Sequence, residues 1–575
     1  MQIRQLTINR FRGISSLSWS PDQQFCCIIG SGDSGKSTVL DAVEAVLSPR
    51  WLNFSESDFL GCDTSEAIVI TITVGELSRQ LKSDERFGLH VRGWTSKGLL
   101  RDEPEDNDEP VLTVRLTVDA TLEPVWELIC DRVDMPRTLS NRDRALFGLV
   151  RLAGEDSRHL AWGQGSVLSR LTGDKDEAAG RLAQAYKAAR DSAGLDKITS
   201  LTTASATAEG FAKALGAYVE GNYGPGLELG RSGISAGAIA LHDSGVPLRL
   251  AGLGTRRLAT LAIQRSAIVE GAIVLIDEIE HGLEPHRIIG VISQLKASQA
   301  KSLEDKQPIG QILMTTHSDI ALVEAGADGL FVCQLIRPGR EARLISPESP
   351  NPIQDLLRGT PRALFARRIL VVEGMTEVGL LLGLRNFWAA NHGGVSVEQY
   401  GVSITDGNGH QAVSRSIALA KLGYEVALFR DSDKPLEADE LATLTTLNIS
   451  VFEYKGKQNT EQAIFFAASN DRVQELLNYV RLEHDEESVN GCLQAKISGI
   501  ISDNVNQNFS SWSNLTSLDG NQLRAAVAEI AVRKKWFKDA RISRDATPII
   551  WSIINDDLTK PISQTIKEVE EWLYA

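Results

Sequence analysis

Residues 25–47 read FCCIIGSGDSGKSTVLDAVEAVL. The unbroken apolar run from Phe25 to Ile29 has the texture of a strand buried on both faces. The loop that follows, Gly30 to Thr38, fits G-x-x-x-x-G-K-[ST], and KSTVLDAVEAVL continues as a helix. Gly30, Gly32 and Gly35 let the backbone fold so that the N–H groups of the loop, Ser31, Asp33 and Ser34 included, face phosphate oxygens. Lys36 reaches the outer phosphates, the Ser37 hydroxyl is placed to ligate Mg²⁺, and Thr38 completes the motif. Strand, glycine loop and helix in this order predict a nucleotide-binding α/β domain, with ATP and Mg²⁺ as its cofactors.

Downstream, AIVLIDEIEHGLEP (272–285) ends a buried strand on Asp277 and Glu278. A carboxylate at a strand's carboxyl end can support the Mg²⁺ beside Ser37, and the next one can polarise an attacking water. QILMTTHSD (311–319) ends a further apolar run near His317, from which a side chain could sense a γ-phosphate. RLAGLGTRR (249–257) precedes the Asp277 strand and keeps small residues at Ala251, Gly252 and Gly254, with Leu253 interrupting. Arg256 and Arg257 could contact nucleotide, DNA or acids of a partner subunit.

Composition sets outer limits. At 575 residues the chain can hold two to four domains. A hydrophobic content of 42% with 23% charged residues is that of ordinary globular protein. No apolar run is long enough to span a bilayer, and the opening MQIRQLTINRFRG lacks the apolar core of a signal peptide. Six scattered cysteines without a CxxC pair suit small apolar packing in a reducing cytoplasm. A net charge of −15 and a pI near 5.3 argue against coating nucleic acid with the whole surface, while leaving room for a local basic groove. DEPEDNDEP (102–110) reads as a solvated acidic loop tip.

β-like segments fill Glu66 to about Val133, and Ala-rich helical periodicity over 149–223, as in EAAGRLAQAYKAARDSAG, predicts a helical insertion. The proline-punctuated SPESPNPIQD (346–355) places the main domain boundary near residue 355. Beyond it, RRILVVEGMTE (367–377) drives a hydrophobic strand into Glu373, with Glu377 one helical turn on if a helix starts after Gly374. ALFRDSD (427–433) repeats the device: Asp431 and Asp433, two apart, point the same way from a strand end. Four converging acids repel and have raised pKa values unless cations sit among them. Hard oxygen ligands suit Mg²⁺ or Mn²⁺, and two such ions could activate water and stabilise the leaving oxygen of a phosphodiester.

The order of phosphate loop, glycine-containing signature, DE strand, EHGLEP and histidine resembles the ABC-type ATPases of the SMC and DNA-repair branch. That resemblance implies a head-to-head homodimer and places Asp58 of SESDFLG in the Q-loop region. Asp33 stands where relatives frequently have Asn. The strand–Glu–Gly unit followed by the strand–DxD unit resembles the Toprim domain. The two together resemble the OLD (overcoming lysogenization defect) family, which includes the nuclease subunit of the Gabija anti-phage system.

The expected architecture is therefore an ABC-type ATPase domain over 1–355, with a helical dimerisation insertion over 149–223, and a Toprim nuclease domain over 356–575. The resemblance implies divalent-metal-dependent cleavage of DNA under nucleotide control, by a dimer or tetramer, alone or beside a helicase-like protein. It also implies a further acid, Glu461 in NTEQAIFF, and a late lysine from VRKKWFKDA (532–540), with Lys538 first and Lys535 second; Lys534 belongs to the same cluster. A basic strip tracking DNA explains that cluster as well. Asp406 of ITDGNGH ends a strand near the same edge, with His410 a weaker candidate, although DGNG is also good turn chemistry. An ATP-driven DNA clamp or sensor with a non-catalytic Toprim fold is the competing reading. A topoisomerase would need a tyrosine nucleophile in an identifying context, and a primase would need a zinc motif.

Overall fold

The computed structural model describes residues 1–133, 135–152, 194–214, 246–260, 271–304 and 310–575, with scattered positions at 181, 184–185, 187–188, 192, 222 and 242–243. Much of the stretch expected to form a helical insertion over 149–223 lies outside these; within it, Thr199–Ala214 is a helix. The chain divides into two compact, discontinuous units. One comprises Met1–Thr7, Ser20–Phe25 and Leu40–Met314, the other Ile8–Trp19, Cys26–Val39 and Thr315–Ala575.

In the first unit, Ile68–Gly75 pairs antiparallel with Glu109–Val118, which pairs antiparallel with Pro124–Leu128. Alternating Ile68, Ile70 and Ile72 are fully buried, the period-2 pattern of a strand with one face on a core. Val274–Ile276 runs parallel to Val150–Leu152 on one side and to Ile312–Thr315 on the other. Its three aliphatic residues are wholly buried, as a central parallel strand requires, and Asp277 follows directly. The acidic loop is exposed at its tip, at Glu103, Glu105, Asp106 and Asn107, as expected, while its flanks are ion-paired. Asp102 pairs with Arg92 at 2.7 Å, Asp108 with Arg101 at 3.5 Å and Glu109 with Arg4 at 2.8 Å, so neighbouring guanidinium groups neutralise much of it. Four of the six cysteines are buried, Cys492 is half-buried, and Cys62 is exposed rather than packed.

In the second unit, Phe25–Ile29 pairs parallel with Leu330–Ile336, which pairs antiparallel with Glu341–Ile345. The proline-rich stretch near 350 does not form a loop throughout. Pro350 occupies the first turn of a helix, Pro350–Gly359, where its missing N–H costs nothing, and Ile353, Leu356 and Leu357 bury that helix's apolar face.

A separate four-stranded sheet follows, in the order Val402–Asp406, Arg368–Val372, Glu425–Arg430, Ser450–Glu453, with every pair parallel. Parallel pairing brings the carboxyl ends of all four strands to one edge. The register sets Val372 opposite both Asp406 and Phe429, so Glu373 and Asp431 leave neighbouring strands at almost the same level. Helices cover the sheet around a core that includes Trp388, Phe429, Phe465, Trp512 and Phe537, all fully buried.

The helix Met375–Asn391 approaches Ala540–Asp545 through two glycines one turn apart. A Cβ on Gly379 would stand 2.7 Å from Ser543 Cβ, and one on Gly383 would stand 2.6 Å from Thr547 Cβ and 2.8 Å from Arg544 O. Backbone atoms cannot yield as a flexible side chain would. Gly383→Val is therefore expected to destabilise the protein by about 1–3 kcal/mol through overpacking, read as a lower urea midpoint than wild type.

Candidate active site

The carboxyl edge of the four-stranded sheet opens into a cleft of about 460 Å³ lined by Glu373, Glu377, Asp406, Asp431, Asp433 and Glu461, with Lys434, Lys535 and Lys538 among its other walls. The strand Arg368–Val372 delivers Glu373, whose own N–H donates to Phe429 O at 3.0 Å. Glu373 Oε2 then accepts the backbone N–H of Asp431 at 3.0 Å, which ties the ends of the two strands together. Gly374 caps the next helix, and Glu377 sits in its first turn, buried. Asp433 is exposed at the rim, and His410 is exposed and outside the lining. Asp406 faces the cleft while accepting the Asn408 N–H at 3.0 Å within its turn.

Thr460 organises the buried part of the cleft, and nothing in the acidic motifs announces it. Its N–H donates to Asp431 Oδ1 at 2.9 Å; its Oγ1 stands 2.7 Å from Glu377 Oε1 and 3.0 Å from Asp431 Oδ1. One hydroxyl hydrogen cannot serve both carboxylates, so this arrangement is satisfied when a carboxyl group donates in return. Burial, reinforced by the neighbouring acids, pushes Glu377 to about 7 and Asp431 to about 8. Burial also raises Glu461, with Asp433 adding to the shift and Lys538 opposing it. The only sequence trace of Thr460 is the capping box in NTEQ, where Asn459 caps the helix Thr460–Ala467 and Gln462 returns the contact.

The lysines arrive through a helix end. Gly520–Lys534 stops at Lys535, whose φ of 57° is left-handed, and the chain turns to bury Trp536 and Phe537. That turn sets Lys538 in the cleft wall with Lys535, while Lys534 lies outside the lining.

Among the described residues, no three histidine, cysteine, aspartate or glutamate side chains already stand where they could hold a metal ion. The acids repel and turn to Thr460 and the Asp431 amide instead of closing on one point. The donor set nevertheless fits a hard dication in kind. Several carboxylates share one cleft, burial and mutual repulsion push Glu377 and Asp431 up, a shift that a cation would relieve, and the open rim leaves room for water.

The phosphate loop has its own built geometry. Gly30 has φ 153°, and a Cβ there would meet Ser34 Oγ at 2.8 Å and the Cys333 carbonyl. Lys36 is buried, its Nζ donating to Gly30 O and Ser31 O at 3.0 Å each, and the helix Lys36–Leu47 begins at that residue. A cavity of about 310 Å³ borders Gly30–Ser34, walled by Val332–Arg337 and Gly423–Glu425.

In the other unit, Arg257 is buried and donates to Asp277 O at 3.2 Å, so this arginine holds the backbone of the DE strand. Leu253, the interruption in the signature, occupies space that a side chain on Gly282 would need; Gly252 is open, and Gly254 lies close to Gly282 O. Glu278 has a left-handed φ of 47°, and His317 is exposed with its ring 6.3 Å from Phe365. Asp58 accepts from Ser55 N at 3.1 Å within its own turn.

Three family models match the chain. They are the P-loop containing region of the AAA domain over 8–57, the AAA domain named for the AbiEii toxin of type IV TA systems over 181–324, and the Overcoming lysogenization defect protein-like TOPRIM domain over 364–433. The chain joins a P-loop ATPase domain to an OLD-like Toprim domain. Similar solved structures include the SmcHead bound to the C-winged helix domain of ScpA, at 17% identity over 62% of this chain and 100% of that one, with a TM-score of 0.34. The SMC head domain from Thermotoga maritima follows at 13% identity, 61% and 100% coverage and a TM-score of 0.29. The Smc head with an extended coiled coil, bound to the C-terminal domain of ScpA derived from Pyrococcus furiosus, shows 15% identity, 62% and 98% coverage and a TM-score of 0.33. No curated protein matches the chain. Among the described residues no helix is long and apolar enough to cross a membrane.

The Toprim cleft carries a pH signature. Asp431 and Glu377 are raised in the folded state, so their contribution to stability is complete below the ordinary carboxylate range and is lost as pH climbs through about 7 to 8. In EDTA, Asp431→Asn is expected to melt progressively higher than wild type as pH rises from 5 to 8.5. Thermal melts across that range check it, and a constant difference between the two proteins would contradict it.

Proposed function

We propose that the chain is a divalent-metal-dependent DNA endonuclease that nicks or cleaves through its Toprim cleft under the control of its ATPase domain, in anti-phage defence. The observation that carries this reading is the Glu373–Asp431 clasp at the strand ends, with Glu377, Glu461 and Lys538 around the same cleft. Glu373, Asp431 and Asp433 would hold Mg²⁺ or Mn²⁺, with Glu377 and Glu461 behind them. Such an ion supplies a nucleophilic water and stabilises a leaving oxygen. Lys538 and Lys535 place positive charge on the wall where a scissile phosphate would lie, and Thr460 orients Glu377 and Asp431.

In the same reading residues 1–355 form the ATPase domain and 356–575 the Toprim domain, with 149–223 as a dimerisation insertion. The phosphate loop binds ATP through Gly30–Thr38. Gly252 and Gly254 cap the nucleotide of a second subunit in a homodimer, and Asp277, Glu278 and His317 take the metal, water and γ-phosphate roles that their motif order gives them. A cytoplasmic protein that meets DNA, in some settings beside a helicase-like partner or as a tetramer, follows from the OLD-family resemblance.

The test is a nicking assay on supercoiled plasmid with Mg²⁺ or Mn²⁺ and with EDTA. Metal-dependent relaxation supports the proposal. DNA binding without any cleavage supports a second reading, an ATP-driven clamp or sensor that recruits an effector.

A further inference from the structure

Arg151 belongs to no motif, yet three carboxylates meet on it. The residue lies on Val150–Leu152, opposite Leu275 of the strand that ends on Asp277. Its Nη1 pairs with Glu44 Oε2 at 2.8 Å and with Asp41 Oδ1, and its Nη2 donates to Asp277 Oδ2 at 3.1 Å. The side chain is only 14% exposed. Burial opposes its charge, but Asp41 and Glu44 more than compensate and hold its pKa above the ordinary arginine value. Asp41 and Glu44 ride on the helix that Lys36 and Ser37 begin.

We propose that Arg151 is a positioning residue for nucleotide-bound Mg²⁺, fixing the Asp277 carboxylate to the helix that follows the phosphate loop. The inference rests on the reading of Asp277 as the Mg²⁺-supporting acid. A guanidinium is a planar fork. With Nη1 committed to Asp41 and Glu44, its position is fixed before Asp277 binds, and Nη2 grips Asp277 through a single oxygen. A group that orients a ligating carboxylate from behind typically carries about 10–100-fold of metal affinity.

The experiment is fluorescence titration of the full chain with mant-ATP, in Mg²⁺ and in EDTA. Wild type should bind more tightly with Mg²⁺. Arg151→Ala should lose about 10–100-fold of that Mg²⁺-dependent gain and match wild type in EDTA, with Arg151→Lys intermediate. Because Arg151→Ala strands partly buried acids, the Asp41→Asn/Glu44→Gln pair provides the second arm. It removes the anchors, leaves Asp277 its partner, and should also weaken the Mg²⁺ dependence. Unchanged or tighter Mg²⁺-dependent binding in these variants overturns the proposal. Failure of wild type to bind mant-ATP overturns the nucleotide reading itself, and this inference with it.

Discussion

Glu373→Ala is expected to slow divalent-dependent plasmid nicking by on the order of 10³-fold or more, as loss of a residue at the reacting centre does, while mant-ATP binding is unchanged. Two effects are folded into that variant. It removes a charge that would face the metal, and it leaves the Asp431 N–H without the Oε2 it donates to at 3.0 Å. Glu373→Gln separates them, because an amide oxygen still accepts from the Asp431 N–H but carries no charge. If charge is what the site needs, Gln is as inactive as Ala. If the clasp is what matters, Gln restores the rate. A Gln variant cutting at the wild-type rate would remove Glu373 from metal binding and leave it a purely architectural role.

The second large effect is expected from the late lysines, and it is unequal. Lys538→Ala should cost about 10²–10³-fold in nicking rate, the loss typical when a group that stabilises developing charge is removed. Lys538 acts on buried Glu461, pulling its pKa down against the burial that raises it, so its charge is felt inside the cleft. Lys535 lines the same wall but is primarily the left-handed residue that ends its helix. Lys535→Gly preserves that backbone and removes only the charge. It should leave the rate within about tenfold and reduce the salt dependence of DNA binding by roughly one phosphate contact. Equal losses at both positions would point to a diffuse basic strip and not to a single lysine at the scissile phosphate.

Much of this was legible in the chain itself where local chemistry and topology coincide. FCCII and ILVV read as buried strands because a parallel strand with both faces covered needs continuous aliphatics, and both are such strands. Parallel pairing then brings Glu373, Asp406 and Asp431 to a common edge without further information. Residues recruited across long sequence distances were less legible. Thr460 looks like an ordinary first-turn threonine, and only its place opposite Asp431 and Glu377 shows that it joins them. Arg151 lies in a short strand without a motif. Arg257, open between nucleotide, DNA and partner acids on sequence grounds, turns inward to the Asp277 carbonyl. Prolines near residue 350 suggested punctuation, but Pro350 opens a helix, since proline is unfavourable inside a helix and favourable at its first position.

The close approach of Gly379 and Gly383 to residues 540–547 also dictates when, during synthesis, the cleft can be completed. Chains fold from the amino terminus as they emerge. The strand bearing Glu373 and the helix bearing Glu377 leave the ribosome long before Lys538 and the segment that seats against those glycines. Until that segment arrives, the acids have neither their lysine nor the wall behind their helix. The complete cleft, with its lysine and with the helix of Glu377 seated, therefore assembles only once residues up to about 547 have been made.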